Sequence, residues 1–339
     1  MASSSIRPIV GITMGDPAGV GPEVTAKALS NKEMYDICKP IVIGDAGVMT
    51  KALDIVKVKL KVNPVQKVSE AKFKYGTMDV LDLKNIDLSK LQIGKVQAMA
   101  GKASLEYIHK AVDLALEGEI HAIATVSINK EAIHLAGSKH PGHTEILAEL
   151  TATKDFTMML AAENLRVFHV TIHEPLRRAV DLIKKDSVLE TIKLAQGALQ
   201  SMGIEKPKIA VAGLNPHASD GGIFGNEEAQ EIAPAVQAAK AMGINAVGPI
   251  PPDTVFLRAY QGEFDGVIAM YHDQGHIPLK LVGFKSGINV TIGLPIIRTS
   301  VDHGTAFDIA GKGIADPTSL MESIKMAATM ARVKLAAKT

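Results

Sequence analysis

Between Asp265 and Pro317 the chain reads DGVIAMYHDQGHIPLKLVGFKSGINVTIGLPIIRTSVDHGTAFDIAGKGIADP, with three His, three Lys, one Arg and eight Gly set around short apolar runs. Stability alone gives little reason to keep so many ionisable groups beside buried strands. The stretch points to an active-site segment that joins metal, anion and cofactor chemistry. Three imidazoles support this from equivalent places. His173, His217 and His272 each fall within a few residues of the end of an apolar run, after Val167–Ile172, Ile209–Ala212 and Val267–Met270. Ligands of open parallel sheets bind beyond the carboxyl ends of the strands. Imidazoles delivered there from three strands can form a facial divalent-metal site with positions open for substrate oxygens. One such His alone reads better as a hydrogen-bonded structural group, and the coincidence of three is what favours ligation. Local spacing adds no support, because HExxH and paired cysteines are absent and Cys38 is the single cysteine. His109, His121, His134 and His169 sit within helix and strand patterns and are read as structural.

Lys280, Asn289 and Arg298 form a polar series beside apolar or Gly-rich sequence, such as GLPII before Arg298. Arg offers carboxylate or phosphate a two-pronged fork, Lys a point charge or proton, and Asn an orienting amide. Earlier in the chain, Pro141-Gly142 is a turn from which His143-Thr144 opens a helix. Free N–H groups, a hydroxyl and an imidazole at a helix start suit an anion, although capping by Thr144 explains the pattern equally well. Together these groups imply a small substrate carrying phosphate, carboxylate or both.

Positioning such groups needs strands that alternate with helices. Pro8–Met14 is a strand that runs into the turn Gly15-Asp16-Pro17-Ala18-Gly19-Val20-Gly21-Pro22-Glu23. Its glycines match neither G-x-G-x-x-G nor the P-loop. Pro40–Ile43 and Ala122–Ile128 read as buried strands, Val58–Val62 alternates, and Val96–Leu116 has helical spacing. Residues 63 to 95 resist assignment. Strands follow at Phe156–Ala161 and the three runs above, with helices at Leu176–Ile183, Val188–Met202, Glu227–Met242 and Pro317–Ala337. This alternation predicts an α/β fold with a mostly parallel sheet.

A chain of 339 residues suits two domains or one large α/β unit. Its 47% hydrophobic and 22% charged residues are those of an ordinary globular protein. A net charge of +1, no Trp and no basic block argue against nucleic acid as a partner. The N-terminal MASSSIRPIV lacks signal architecture and no apolar run reaches membrane-spanning length, so a cytoplasmic location is expected.

Seven motifs in order, GDPAGVGPE, GHTE, GLNPHASDGG, PPDTVF, YHDQGHIPLK, GINVTIGLP and RTSVDHGTAFDIAGKG, resemble the 4-hydroxythreonine-4-phosphate dehydrogenase family over essentially the whole chain. The forms NKEAIHLAG, HPGHTEILAEL and YHDQGHIPLKLVGF are closest to its 4-phospho-D-threonate and 4-phospho-D-erythronate dehydrogenases. The resemblance implies a two-domain fold like that of isocitrate and isopropylmalate dehydrogenases, with a cleft between the domains. Residues 1–128 with 266–339 would form the nucleotide-side domain. Residues 129–265 would form the second, carrying metal ligands and dimer contacts.

The implied activity is NAD-dependent oxidation of a hydroxyl β to a carboxylate followed by loss of CO2, giving dihydroxyacetone phosphate from the 4-phospho acids. His173, His217 and His272 match the family's divalent-metal ligands, contributed from both subunits of a homodimer, with zinc, cobalt or magnesium all able to serve. His143, Thr144, Lys280, Asn289 and Arg298 match substrate-binding positions. Lys280, Asp253 and Asp273 are the catalytic candidates. HGTAFDIAGKGIADP is similar to the adenine-side loop of isocitrate and isopropylmalate dehydrogenases, which assigns His303, Gly304, Thr305 and Asp308 to the cofactor. A carboxylate at Asp308 suits free ribose hydroxyls and repels a 2′-phosphate, so NAD is expected over NADP. Competing readings are the related dehydrogenase of pyridoxal phosphate biosynthesis, a phosphate acyltransferase-like enzyme and a non-catalytic anion-binding module.

Overall fold

The computed structural model describes residues 6 to 154 and 156 to 337. The first five residues of MASSSIRPIV, the stretch read as lacking signal architecture, lie outside them. In chain order the elements begin with β1 (Ile9–Thr13), α1 (Gly21–Leu29), α2 (Lys32–Ile37), β2 (Lys39–Gly44), α3 (Ala46–Val56), β3 (Lys61–Val65) and β4 (Thr77–Asp82). There follow α4 (Ala98–Leu116), β5 (Ala122–Thr125), α5 (Lys130–Leu135), α6 (His143–Leu150), β6 (Thr157–Ala162), β7 (Leu165–His169), α7 (Leu176–Leu182) and α8 (Lys185–Ser201). The last are β8 (Ile209–Ala212), α9 (Ala233–Ala241), β9 (Ala246–Ile250), α10 (Pro252–Tyr260), β10 (Gly266–Ala269), α11 (His272–Gly283), β11 (Ile288–Ile292), β12 (Arg298–Val301) and α12 (Thr318–Ala336).

The chain divides into two compact units, residues 1–154 with 294–339, and residues 155–293. The first holds six parallel strands in the order β3-β4-β2-β1-β5-β12. Its central strands are buried along all but the first residue of β1 and β2, which is why they read as short unbroken apolar runs rather than alternating ones. Asp45 and Asn129 cap α3 and α5 by accepting from the backbone N–H groups of Val48 and Ala132. The second unit has the order β11-β6-β7-β10-β8-β9, in which only β6 runs against the others. Glu163, with a φ of 50°, starts the two-residue turn that folds β6 back onto β7.

The units divide at 154/155 and 293/294, where the sequence suggested 128/129 and 265/266. Residues 129–154 stay with the first unit because α5 and α6 pack on α4. Gly101 makes this possible, since a Cβ there would stand 2.0 Å from the Ala132 carbonyl oxygen. Residues 266–293 belong to the second because β10 and β11 pair with β7 and β6. The stretch that resisted assignment contains most of β3 and all of β4. Helix α11 has Pro278 in its interior and begins at the His272 expected to follow a strand. Gly275 lets it lie against β7, because a Cβ there would stand 2.3 Å from His169 Nε2.

Candidate active site

In the second unit β7, β10 and β8 are parallel neighbours, and their carboxyl ends lead to His173, His272 and His217. The ring centroids of His173 and His272 are 5.9 Å apart. His272 Nδ1 lies 2.7 Å from Asp273 Oδ1, which fixes the ring and leaves Nε2 as its donor atom. Behind it His276 stacks at 3.6 Å, and the Nδ1 of His276 lies 3.0 Å from the His272 carbonyl oxygen and 3.2 Å from His169 Nε2. A carbonyl oxygen can only accept, so His276 carries its proton on Nδ1. Burial first, then His276 and His272, push buried His169 down to about 3, which keeps it neutral.

His217 lies in the turn Pro216–Gly222. Residues 217 to 221 all have positive φ, from 43° to 74°, a conformation that costs on the order of 1–3 kcal/mol for each non-glycine residue. Buried Glu228 anchors the near end of this turn by accepting from the backbone of Leu214 and Asn215 and from Asn215 Nδ2, at 2.7 to 2.9 Å. It lies in a turn of π-helix, Glu228–Ile232. Exposed His217 has its Nδ1 3.9 Å from Asp253 Oδ2. Among the described residues no three His, Cys, Asp or Glu stand together closely enough to hold a metal ion. The expected ligands thus fit a borderline divalent ion in donor type and strand-end placement, and one chain gathers two of the three. Lys280 is exposed on α11. On β11, Asn289 Nδ2 donates to Met158 Sδ, and its buried Oδ1 has no partner.

The first unit holds the other substrate-binding candidates, Arg298, His143 and Thr144. Arg298 is 2% exposed, and its Nε and Nη2 donate to Thr125 Oγ1 at 3.1 and 2.7 Å. Burial pushes the guanidinium down to about 9, against the pull of Glu145. His143 and Thr144 open α6, as expected. The His143 Nε2 is buried without a partner, and burial, then Arg298, hold the imidazole well below its ordinary range. A desolvated cation, a neutral imidazole and the start of a helix are groups electrostatically suited to an anion.

Of the cofactor candidates, His303 meets Ser127 Oγ, which contacts both its carbonyl oxygen and, at 3.3 Å, its Nδ1. The His303 Nε2 is buried and unpartnered. Thr305 accepts through its carbonyl oxygen from Val20 N at 3.0 Å, while Gly304 and Asp308 are exposed.

Sequence reasoning passed over Asp16, Glu23, Thr125, Ser127 and Glu228. Asp16 and Ser127 carried the same signal as the three His, since each lies just past a buried strand. Burial pushes the Asp16 carboxyl up to about 6, against backbone hydrogen bonds from Ala18 and Asn129, and its Oδ2 has no partner. A raised carboxyl favours folding below the unfolded value of 3.8, and that contribution is lost as pH rises through about 6. At one unit per 1.36 kcal/mol the charged form costs about 3 kcal/mol at higher pH. Asp16→Asn is therefore expected to raise the melting temperature at about pH 8 relative to wild type and to bring no such gain at about pH 4. Thermal melts across that range check this, and an equal shift at both ends would refute it.

A family model described as "Pyridoxal phosphate biosynthetic protein PdxA" matches residues 36–327. A Symbiobacterium thermophilum protein named "Putative D-threonate 4-phosphate dehydrogenase" is 50% identical over 325 residues, covering 96% of this chain and 97% of that one. The crystal structure of a 4-hydroxythreonine-4-phosphate dehydrogenase from Klebsiella pneumoniae superposes with a TM-score of 0.90 at 45% identity, covering 97% and 100% of the two chains. The EutD phosphotransacetylase from Staphylococcus aureus, at a TM-score of 0.54 and 14% identity over 97% and 95%, is alike in fold alone.

Proposed function

The chain belongs to the PdxA family of dehydrogenases, and from that premise we propose that it oxidises and decarboxylates 4-phospho-D-threonate or 4-phospho-D-erythronate to dihydroxyacetone phosphate. The observation that carries the reading is Arg298, a buried guanidinium beside the His143 imidazole at the start of α6. Burial strips the guanidinium of water, so an anion brought to it there is held more strongly than at an exposed site. The phosphorylated compounds in the relatives' names supply the class of anion.

In the reaction the substrate's C3 hydroxyl gives up a proton and the carbon a hydride. The 3-keto acid loses CO2, and the resulting enolate takes a proton at C2. Bound NAD would accept the hydride, and a divalent ion held by His173, His217 and His272 would supply positive charge beside the substrate oxygen. Lys280 is assigned the proton transfers, with Asp253 as a further polar group. Asp273 keeps the His272 Nε2 turned outward as a ligand atom. Arg298, His143, Thr144 and Asn289 hold the substrate's anionic and hydroxyl groups. His303, Gly304, Thr305 and Asp308 receive the cofactor, and the Asp308 carboxylate selects NAD over NADP.

The protein is further proposed to be a cytoplasmic homodimer that completes the metal set from two chains. No described helix is long and apolar enough to cross a membrane. Exposed apolar side chains on α10 and α11, including Leu257 at 60%, Ile277 at 65% and Leu281 at 84%, support a covered face there.

One assay of NADH formation tests the substrate reading, with 4-phospho-D-threonate, 4-phospho-D-erythronate and 4-phospho-L-threonine side by side. Turnover is expected with the first two. A clear preference for 4-phospho-L-threonine would assign the chain to pyridoxal phosphate biosynthesis instead.

A further inference from the structure

Helix α1 reaches the proposed cofactor loop with two charged side chains one turn apart. The buried Glu23 carboxylate accepts from the backbone N–H groups of Gly311 and Gly313, the second at 2.7 Å. Lys27 Nζ donates to the Ala315 carbonyl oxygen at 2.7 Å. Gly311, Gly313 and Ala315 alternate along the chain, so an i, i+4 pair on the helix grips one edge of this segment.

The contacts at the helix start continue the grip. Val20 N donates to the Thr305 carbonyl oxygen at 3.0 Å. A Cβ on Gly19 would stand 2.9 Å from that oxygen, and one on Gly313 would stand 2.8 Å from the Ile55 carbonyl oxygen. Gly311 and Gly313 have φ of 82° and 67°, which other residues adopt only with strain. Between the gripped segment and Thr305, a tight turn joins the backbone N–H groups of Ile309 and Ala310 to the Ala306 carbonyl oxygen. The GDPAGVGPE turn therefore does not present a phosphate cradle. Its Val20 N–H is spent on the loop, and Pro22 has none to offer.

We propose that Glu23 and Lys27 are positioning residues that hold the segment His303–Asp308 in its cofactor-binding conformation. The inference rests on the reading of that segment as the NAD loop. Two charged groups anchored to backbone atoms hold the loop in one arrangement before the cofactor arrives, and that lowers the cost of binding. Glutamine at position 23 keeps one accepting oxygen and turns an NH2 group towards the second N–H. The grip then loosens without emptying the space.

The test compares the full-length wild type, Glu23→Gln and Lys27→Met. NADH binding is followed by fluorescence titration, with kcat and the KM values for NAD and for the phospho acid measured separately. Each variant is expected to bind NADH about tenfold more weakly, as the loss of one charge-assisted hydrogen bond predicts. The NAD KM should rise in step, with kcat at saturation and the KM for the phospho acid unchanged. Hydrogen exchange should show faster exchange at Gly311 and Gly313 in Glu23→Gln. Should Glu23→Gln fail to fold, Lys27→Met, with its less buried side chain, carries the comparison. Unchanged NADH affinity in the folded variants overturns the inference, as does a parallel loss in all three kinetic constants. A wild-type chain that binds no NADH overturns the cofactor reading and the inference with it. Wild-type binding that neither variant weakens defeats the inference alone.

Discussion

Replacing Arg298 by methionine is expected to raise the KM for the phosphorylated acid by roughly two to three orders of magnitude while leaving the fold intact. Removing one partner of a buried, hydrogen-bonded charge pair costs about 2–5 kcal/mol, and each 1.36 kcal/mol is about tenfold. The fold should tolerate the change for a separate reason. Burial already pushes the guanidinium down to about 9 despite the pull of Glu145, so the charge is held at a desolvation cost. Exchanging buried ionic groups for apolar ones of similar volume is often neutral or stabilising. Thr125 Oγ1, which accepts from Arg298, also donates to the Thr299 carbonyl oxygen at 3.4 Å and is not stranded by the substitution. Steady-state kinetics with thermal melts check both halves, and inorganic phosphate should lose its competition with substrate in the variant. An unchanged KM would remove Arg298 from the substrate site. A large fall in melting temperature would mean that the guanidinium holds the fold rather than the ligand.

What could be read from the sequence alone follows from which signals are local. The strands β1, β5, β8 and β10 are short, buried on both faces and followed at once by polar residues, so both the strands and their functional ends stand out. Asp16, Ser127 and the three His share this position. Helix α11 did not stand out, because Pro278 and internal glycines argue against a helix, and Gly275 is explained only by its approach to His169. Unit boundaries depend on which strand pairs with which, a long-range choice that local pattern does not record. The same holds for Glu23. An acidic residue in a helix's first turn already has an explanation in the helix dipole, and nothing near it in sequence names Gly311 and Gly313 as partners. The positive-φ run from His217 is equally hidden, since glycine, the residue that adopts such a backbone without strain, stands only at its end, at Gly221 and Gly222.

His217 and His272 bear on the boldest expectation, which is that alanine at either position removes both bound metal and turnover. Each contributes one of three proposed imidazole ligands, and losing a ligand should exceed the 10–100-fold penalty typical of losing an outer-shell partner. The readout is metal content after dialysis, measured separately from activity, with chelated wild type as the reference for the empty state. Imidazole donors also predict that zinc or cobalt restores the chelated protein at lower concentration than magnesium. The fold should survive, because His217 is exposed and His272 rests on His276 at the head of α11 rather than in the apolar core. That no three such ligands stand together among the described residues, with His217 instead beside Asp253, adds a sharper consequence. If a second chain completes the set, metal retention must fall when the protein is diluted below its dimer dissociation constant, and mixing the two alanine variants should restore a predictable fraction of sites. Taking the three ligands as two from one chain and one from its partner, a mixed dimer has one intact site whenever His217 and His272 are delivered from different chains. It has none when both come from the same chain. Full turnover in metal-free His272→Ala would end the metal assignment. Metal retention that ignores dilution would place all three ligands within one chain and demand that the turn from His217 to Gly221 rearrange to bring them together.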